Sequence, residues 1–170
     1  MSPVLVAVAL VAAERLGELA LSSRNARALM RRGAVEHGSA HYPLIVTLHV
    51  LWLGALLWLV PWDAQPNWWL ASIYIALQIV RGWAIWSLGP YWTTRIITLP
   101  DAPLVRSGPY RFLRHPIYAV VVCEIALLPL AFGAWRLALA ASAVNAALLA
   151  WRITSEERAI APRRNIATSP

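Results

Sequence analysis

Long uncharged runs constrain this chain before anything else does. Five apolar blocks cover residues 3–21, 44–60, 68–88, 117–135 and 137–151. The first three approach the ~20 residues that cross a bilayer as a helix. Backbone polar groups in hydrocarbon must be satisfied within their own segment, which makes helices the expected form. The last two blocks are interrupted by Pro129 and by Phe132-Gly133. One helix through both would be about 52 Å long, against a ~30 Å hydrocarbon core, and two full spans would need about 40 residues. The expected solution is a tight hairpin of two short helices turning near residues 131–136. The fold class is therefore all-α integral membrane, with five transmembrane helices in one domain over residues 1–170.

Charge supports this. Only 14% of residues are charged, against roughly 25% in soluble domains. All 15 basic residues are arginine, and most lie beside apolar blocks. The net charge of +7 thus reads as the positive-inside bias and not as a nucleic-acid surface. Arg24, Arg27, Arg31 and Arg32 follow the first block; Arg95, Arg106, Arg111 and Arg114 follow the third; Arg152, Arg158, Arg163 and Arg164 follow the last. Loop 61–67 has no arginine. The expected topology is N-terminus outside, with both long loops, the tail and the functional pocket cytoplasmic. Residues 1–11 lack the positive start of a secretory signal, so the first block reads as a span. Trp52, Trp58, Trp62, Trp68, Trp69, Trp86 and Trp92 are expected in an interfacial belt. The lone Cys123 excludes an intramolecular disulfide or a CxxC metal site and is expected to pack inertly.

Residues 107–118, Ser-Gly-Pro-Tyr-Arg-Phe-Leu-Arg-His-Pro-Ile-Tyr, run from polar and basic straight into apolar sequence. Gly108-Pro109 demands a turn. Pro116 suits the first turn of a helix, where its missing N–H costs nothing. His115 and Tyr118 then stand at a helix entrance, where free N–H groups favour an anion. Arg111 and Arg114 flank them. Glu156-Glu157 follow the last apolar block on the same expected side. If the hairpin folds back, the basic-aromatic cluster could hold a carboxylate, and an acidic residue an amine or ribose hydroxyls. The plain alternative is a positive-inside loop beside a solvated helix end.

Three charged sites fall within apolar blocks: Glu14/Arg15/Glu18, Arg81 and Glu124. Such groups face partners or wet cavities. They are candidates for lining a substrate pocket, with Glu124, Arg81 and Glu14 as candidate catalytic groups. Interhelical pairing and, for Arg81, snorkelling are the competing readings. His37 and His41 are expected in a loop, because Gly38 and Pro43 surround them. His49 is expected to be a hydrogen-bonded packing residue. No metal site is expected, since no convergent ligand spacing exists.

Leu104-Val105-Arg106-Ser107-Gly108-Pro109-Tyr110-Arg111, then Arg114-His115-Pro116-Ile117-Tyr118, then Glu156-Glu157-Arg158-Ala159 after a hairpin, resemble the isoprenylcysteine carboxyl methyltransferase family of membrane methyltransferases. Upstream, Glu14-Arg15-Leu16, Glu18-Leu19, Arg24-Asn25, residues 32–38, His41-Tyr42, Leu88-Gly89, Trp92-Thr93 and Arg95 resemble a bacterial branch associated with type III polyketide synthases. The resemblance implies S-adenosylmethionine as cofactor. It implies that His115 and Tyr118 contact the methionine end, that Leu104, Val105 and Gly108 border the adenosine, and that Glu156 or Glu157 closes the pocket. Tyr110 and Arg111 of the motif join this cofactor-binding part, about residues 88–160. The implied reaction is methylation of an oxygen, hydroxyl or carboxylate, on a lipophilic substrate entering from the bilayer, such as an alkylpyrone or alkylresorcinol. Alternatives are an isoprenylcysteine-type carboxyl methyltransferase, a phospholipid N-methyltransferase, an NADPH-dependent reductase on a similar scaffold, and a non-catalytic lipid-binding protein. Past Glu157 the chain departs from the usual family continuation, passing at once to Ala161-Pro162-Arg163-Arg164. Partners beyond substrate and membrane lipids, including other copies, are left open.

Overall fold

A computed structural model describes residues 2–38, 41–100 and 105–167 of the chain. Five helices follow in order: α1 (Pro3–Met30), α2 (His41–Leu59), α3 (Trp68–Leu88), α4 (Pro116–Ala131) and α5 (Trp135–Ala167). The starts are written locally. Pro3 opens α1, and the Ser2 hydroxyl accepts from the Leu5 N–H. The Asn67 side chain caps α3 by accepting from Trp69 and Leu70 N–H. Its own N–H donates to the Ala131 carbonyl at 2.7 Å, tying the start of α3 to the end of α4. Pro116 begins α4, as its missing donor allows.

The last two helices turn at residues 132–134, where Gly133 has φ +75°, as the sequence implied. Only the first of the pair is short. α4 has 16 residues, but α5 has 33. The reason is that Arg, Glu and Ala after Trp151 propagate helix well. The apolar half of α5 is followed by a polar half, not by a break. Three helical segments, Tyr42–Leu59, Trp68–Tyr91 and Trp135–Ala159, are long and apolar enough to cross a membrane. α1 is long enough, yet carries Glu14, Arg15 and Glu18 in its apolar part.

A feature absent from the all-helical expectation is a two-stranded antiparallel sheet. Strand β1 (Val35–His37) pairs with β2 (Ile96–Thr98), with Glu36 opposite Ile97. The His37–His41 loop expectation is thereby corrected. His37 belongs to β1 and bonds the Thr98 hydroxyl at 2.8 Å, while His41 opens α2. Pro43 does not prevent this, because it sits in the first helical turn.

The main cluster of buried apolar side chains lies at one end of the bundle. Val4, Val8 and Val11 meet Trp52, Leu56, Val60, Tyr74, Ile125, Leu128 and Ala141 there. Hydrocarbon offers no hydrophobic drive between helices, so close van der Waals fit holds this end. Trp52 and Trp92 are buried and not in a belt, whereas Trp58, Trp62, Trp68, Trp69 and Trp86 are exposed. Cys123 is also exposed and not packed inside. The arginine-bearing loops and the small sheet gather at the opposite end.

Candidate active site

A cavity of about 530 Å³ opens at that opposite end, a size typical of small-molecule sites. All five helices, segment 91–99 and residues of the 105–115 loop wall it. Buried side chains on α1 hold this segment. Ser22 Oγ accepts from the Thr94 N–H at 2.9 Å, and Asn25 donates to the Trp92 and Gly89 carbonyls.

One polar region stands at the mouth. The Tyr118 hydroxyl donates to Glu156 and accepts from Arg152 Nε at 2.8 Å. Arg152 Nη2 donates to the Thr94 carbonyl at 2.7 Å. The His115 ring stacks on Tyr118, with centroids 5.1 Å apart. Its Nδ1 is 3.9 Å from Glu156, too far for a hydrogen bond. Its Nε2 is buried and lacks a partner among the described residues. Burial, followed by the Glu156 carboxylate, holds the Tyr110 phenol above its ordinary range.

A second polar region forms the floor. Arg81 is clamped between two helices: Nε and Nη2 reach Glu18 of α1 at 2.5 and 2.6 Å, and Nη1 reaches Glu124 of α4 at 3.1 Å. Arg15 repeats the pattern, with Nη1 to Glu18 at 3.0 Å and Nη2 to both Glu124 oxygens at 3.2 Å. Gln78 adds a donor to Glu124 at 2.9 Å. Glu14 is the loosest member, 3.5 Å from Arg15 and 4.0 Å from Arg81. Arg81 is 6% exposed, so pairing, not snorkelling, accounts for it. Glu124 receives bonds from two guanidiniums and an amide. Taking up a proton would mean loosening those bonds, so its geometry is that of an anchor.

Of the residues singled out in sequence, Val105, Tyr110, His115, Tyr118, Glu156 and Arg81 line the cavity. Glu124 and Glu14 join the charged floor from behind it. Gly108 instead packs on α3. It has φ +58°, and a Cβ there would come 2.1 Å from Ser87 Oγ, so only glycine fits. Arg111 is exposed, over the Phe112 ring. Glu157 is exposed, 3.9 Å from Arg114. Leu104 lies outside the described residues. Arg152 escaped the sequence reading, although it precedes Glu156 by one helical turn and so shares its face. Gln78 and Ser22 also escaped it, and Asn25 entered it only through the upstream resemblance. The partners that tie them to the site are 46 or more residues away.

The model of the isoprenylcysteine carboxyl methyltransferase family matches residues 69–162, more than half of the chain. The chain belongs to that family. This makes it a member of a family of membrane methyltransferases, and the family match covers the mouth of the cavity together with Arg81 and Glu124. Uncharacterized protein YpbQ of Bacillus subtilis is 40% identical over 157 residues, spanning 90% of this chain and 94% of its own length. An uncharacterized protein of Haemophilus influenzae is 28% identical over 158 residues, spanning 89% and 91%. No solved structure matches significantly.

Proposed function

We propose that this methyltransferase uses S-adenosylmethionine to methylate an oxygen of a lipophilic acceptor, first an alkylpyrone or alkylresorcinol. The observation that carries the reading is one cavity joining a polar mouth to an apolar side opening. Leu16 of α1 and Val50 of α2 both line it while being 66% and 64% exposed. They stand on the lateral face, where an alkyl tail can remain in lipid while its head reaches inward.

The residues at the mouth suit the cofactor. Its amino-acid end carries a carboxylate and an ammonium group. His115 Nε2 is a buried group in need of a partner, and Arg95 and Arg114 also line the wall. These would hold the carboxylate, and Glu156 the ammonium or ribose hydroxyls. Tyr110 and Val105 would border the adenosine. When bound, the cofactor supplies a methyl group made electrophilic by its sulfonium. The chain's own task is alignment and dryness: the acceptor oxygen has to be held within about 3–3.5 Å of that methyl with water excluded. The Arg152–Tyr118–Glu156 bonds and the latch of Ser22 and Asn25 keep the wall fixed for this.

All five helices are taken as spans, α1 being made tolerable in lipid by pairing Glu14, Arg15 and Glu18 with α3 and α4. The arginine distribution supports a cavity on the cytoplasmic side of a bacterial inner membrane. Reporter fusions at both ends check this. An external N-terminus and a cytoplasmic C-terminus are expected, and a cytoplasmic N-terminus would end the five-span reading.

The family match favours one second acceptor, an isoprenylcysteine-type carboxylate. Parallel assays of purified protein with alkylpyrone, alkylresorcinol and a farnesylcysteine analogue separate the two. Methyl ethers from the first pair are expected. Methylation of the farnesylcysteine alone would move the protein to the carboxyl reading.

A further inference from the structure

His49 lies two turns into α2 and lines the cavity beside Arg15, Glu18 and Arg81. Its Nδ1 is 2.8 Å from the Ile45 carbonyl. A carbonyl can only accept, so Nδ1 carries a proton, and in the neutral ring Nε2 holds the lone pair. Nε2 makes no hydrogen bond among the described residues. Trp52 packs edge-on against the ring, with centroids 6.2 Å apart, and fixes its plane. A neutral imidazole held this way is a ready proton acceptor. The carboxylates of the cavity are not, because Glu18 is occupied by Arg15 and Arg81, and Glu156 by Tyr118. Arg15 of α1 and Glu124 of α4 are charged groups whose fields reach the imidazole.

We propose that His49 is the base that takes the proton from the acceptor's hydroxyl, and that the acceptor is a weakly acidic hydroxyl such as a phenol, not a carboxylate. This rests on the methyl-transfer reading above. The acceptor's O–H bond breaks, its proton passes to Nε2, and the electron pair stays on oxygen. That oxygen forms the new O–CH3 bond while the S–CH3 bond of the sulfonium donor breaks. Its electron pair remains on sulfur, leaving a neutral thioether. The imidazolium then returns its proton to water. The guanidiniums of Arg15 and Arg81 stabilise the negative charge that builds on the oxygen. Along α4 the floor at Glu124 lies about 9 Å deeper than Tyr118, which leaves room for a polar ring between base and cofactor ends.

Two measurements on the full chain test this. In the first, His49→Gln, which replaces the imidazole by a non-basic amide of similar reach, is compared with the parent on two acceptors. A fall in kcat of about 10²–10⁴-fold is expected with an alkylresorcinol, whose phenol must lose its proton. A fall of less than about tenfold is expected with a 4-hydroxypyrone, already ionised at neutral pH. Equal falls, or none with the resorcinol, overturn the base. A parent that methylates only the farnesylcysteine analogue overturns base and hydroxyl together but leaves the methyltransferase standing. A parent inactive on every acceptor overturns the methyl-transfer reading and the base with it. In the second measurement, nitrogen NMR of 15N-histidine-labelled protein in lipid nanodiscs, with His49→Gln identifying the signal, reads the tautomer without any turnover. An unprotonated Nε2 at neutral pH is expected; a protonated Nε2 on a neutral ring removes the proposal whatever the assays give.

Discussion

Replacing Arg81 by alanine is expected to lower the thermal unfolding midpoint in detergent markedly. The substitution leaves Glu18 and Glu124, whose side chains are 11% and 3% exposed, with Arg15 as the remaining guanidinium partner they share. Removing one partner of a buried ion pair costs about 3–5 kcal/mol, because the remaining charge stays buried. Native stability is commonly of order 5–15 kcal/mol, so this is a major fraction. Arg81→Lys should recover little. The two-point grip on Glu18 and the third bond to Glu124 use the planar guanidinium, which an ammonium cannot reproduce. Glu14→Gln should cost less than about 1 kcal/mol, since Glu14 is partly exposed and loosely paired. Thermal unfolding of the three variants decides the matter. An unchanged midpoint for Arg81→Ala would mean that the floor does not hold α1 to α3 and α4.

His115→Ala should act on binding and not on folding. His115 Nε2 bonds nothing within the described protein, so its removal orphans no protein group. A hydrogen bond to a charged ligand group is worth about 1.5–3 kcal/mol. The dissociation constant for S-adenosylmethionine should therefore rise about 10- to 150-fold. Arg111→Ala, in an exposed residue outside the cavity, should change it little. Calorimetry with both variants separates a specific contact from general loop damage. Equal affinity of His115→Ala and parent would reduce His115 to a residue of the helix entrance.

The helices and the mouth were legible in the sequence for definite reasons. Apolar block length and Pro116 are local signals, and each marked its element. The turn at residues 132–134 was visible through Gly133, yet the length of α5 was not. Apolarity ends at Trp151, but helix propensity does not, and the two signals were read as one. The sheet was invisible because three-residue strands carry no periodicity. Gly108 illustrates another limit: the sequence marks a glycine turn, but only the fold shows that Ser87 lies against it. The floor was half legible. Charges in apolar blocks announce that partners exist, while Arg15 and Arg81 joining the same Glu18 and Glu124 depends on three helices converging.

The central claim is that the cavity carries out methyl transfer to an oxygen of a membrane amphiphile. Its most direct test incubates the purified full-length protein with S-adenosylmethionine labelled in its methyl group and a lipid extract, then identifies the labelled product. A labelled methyl ether on an amphiphilic hydroxyl is expected, and at a cofactor concentration below the parent's dissociation constant its yield should fall with His115→Ala. Label on a phospholipid nitrogen, or no transfer at all from a protein that binds NADPH, would contradict the claim.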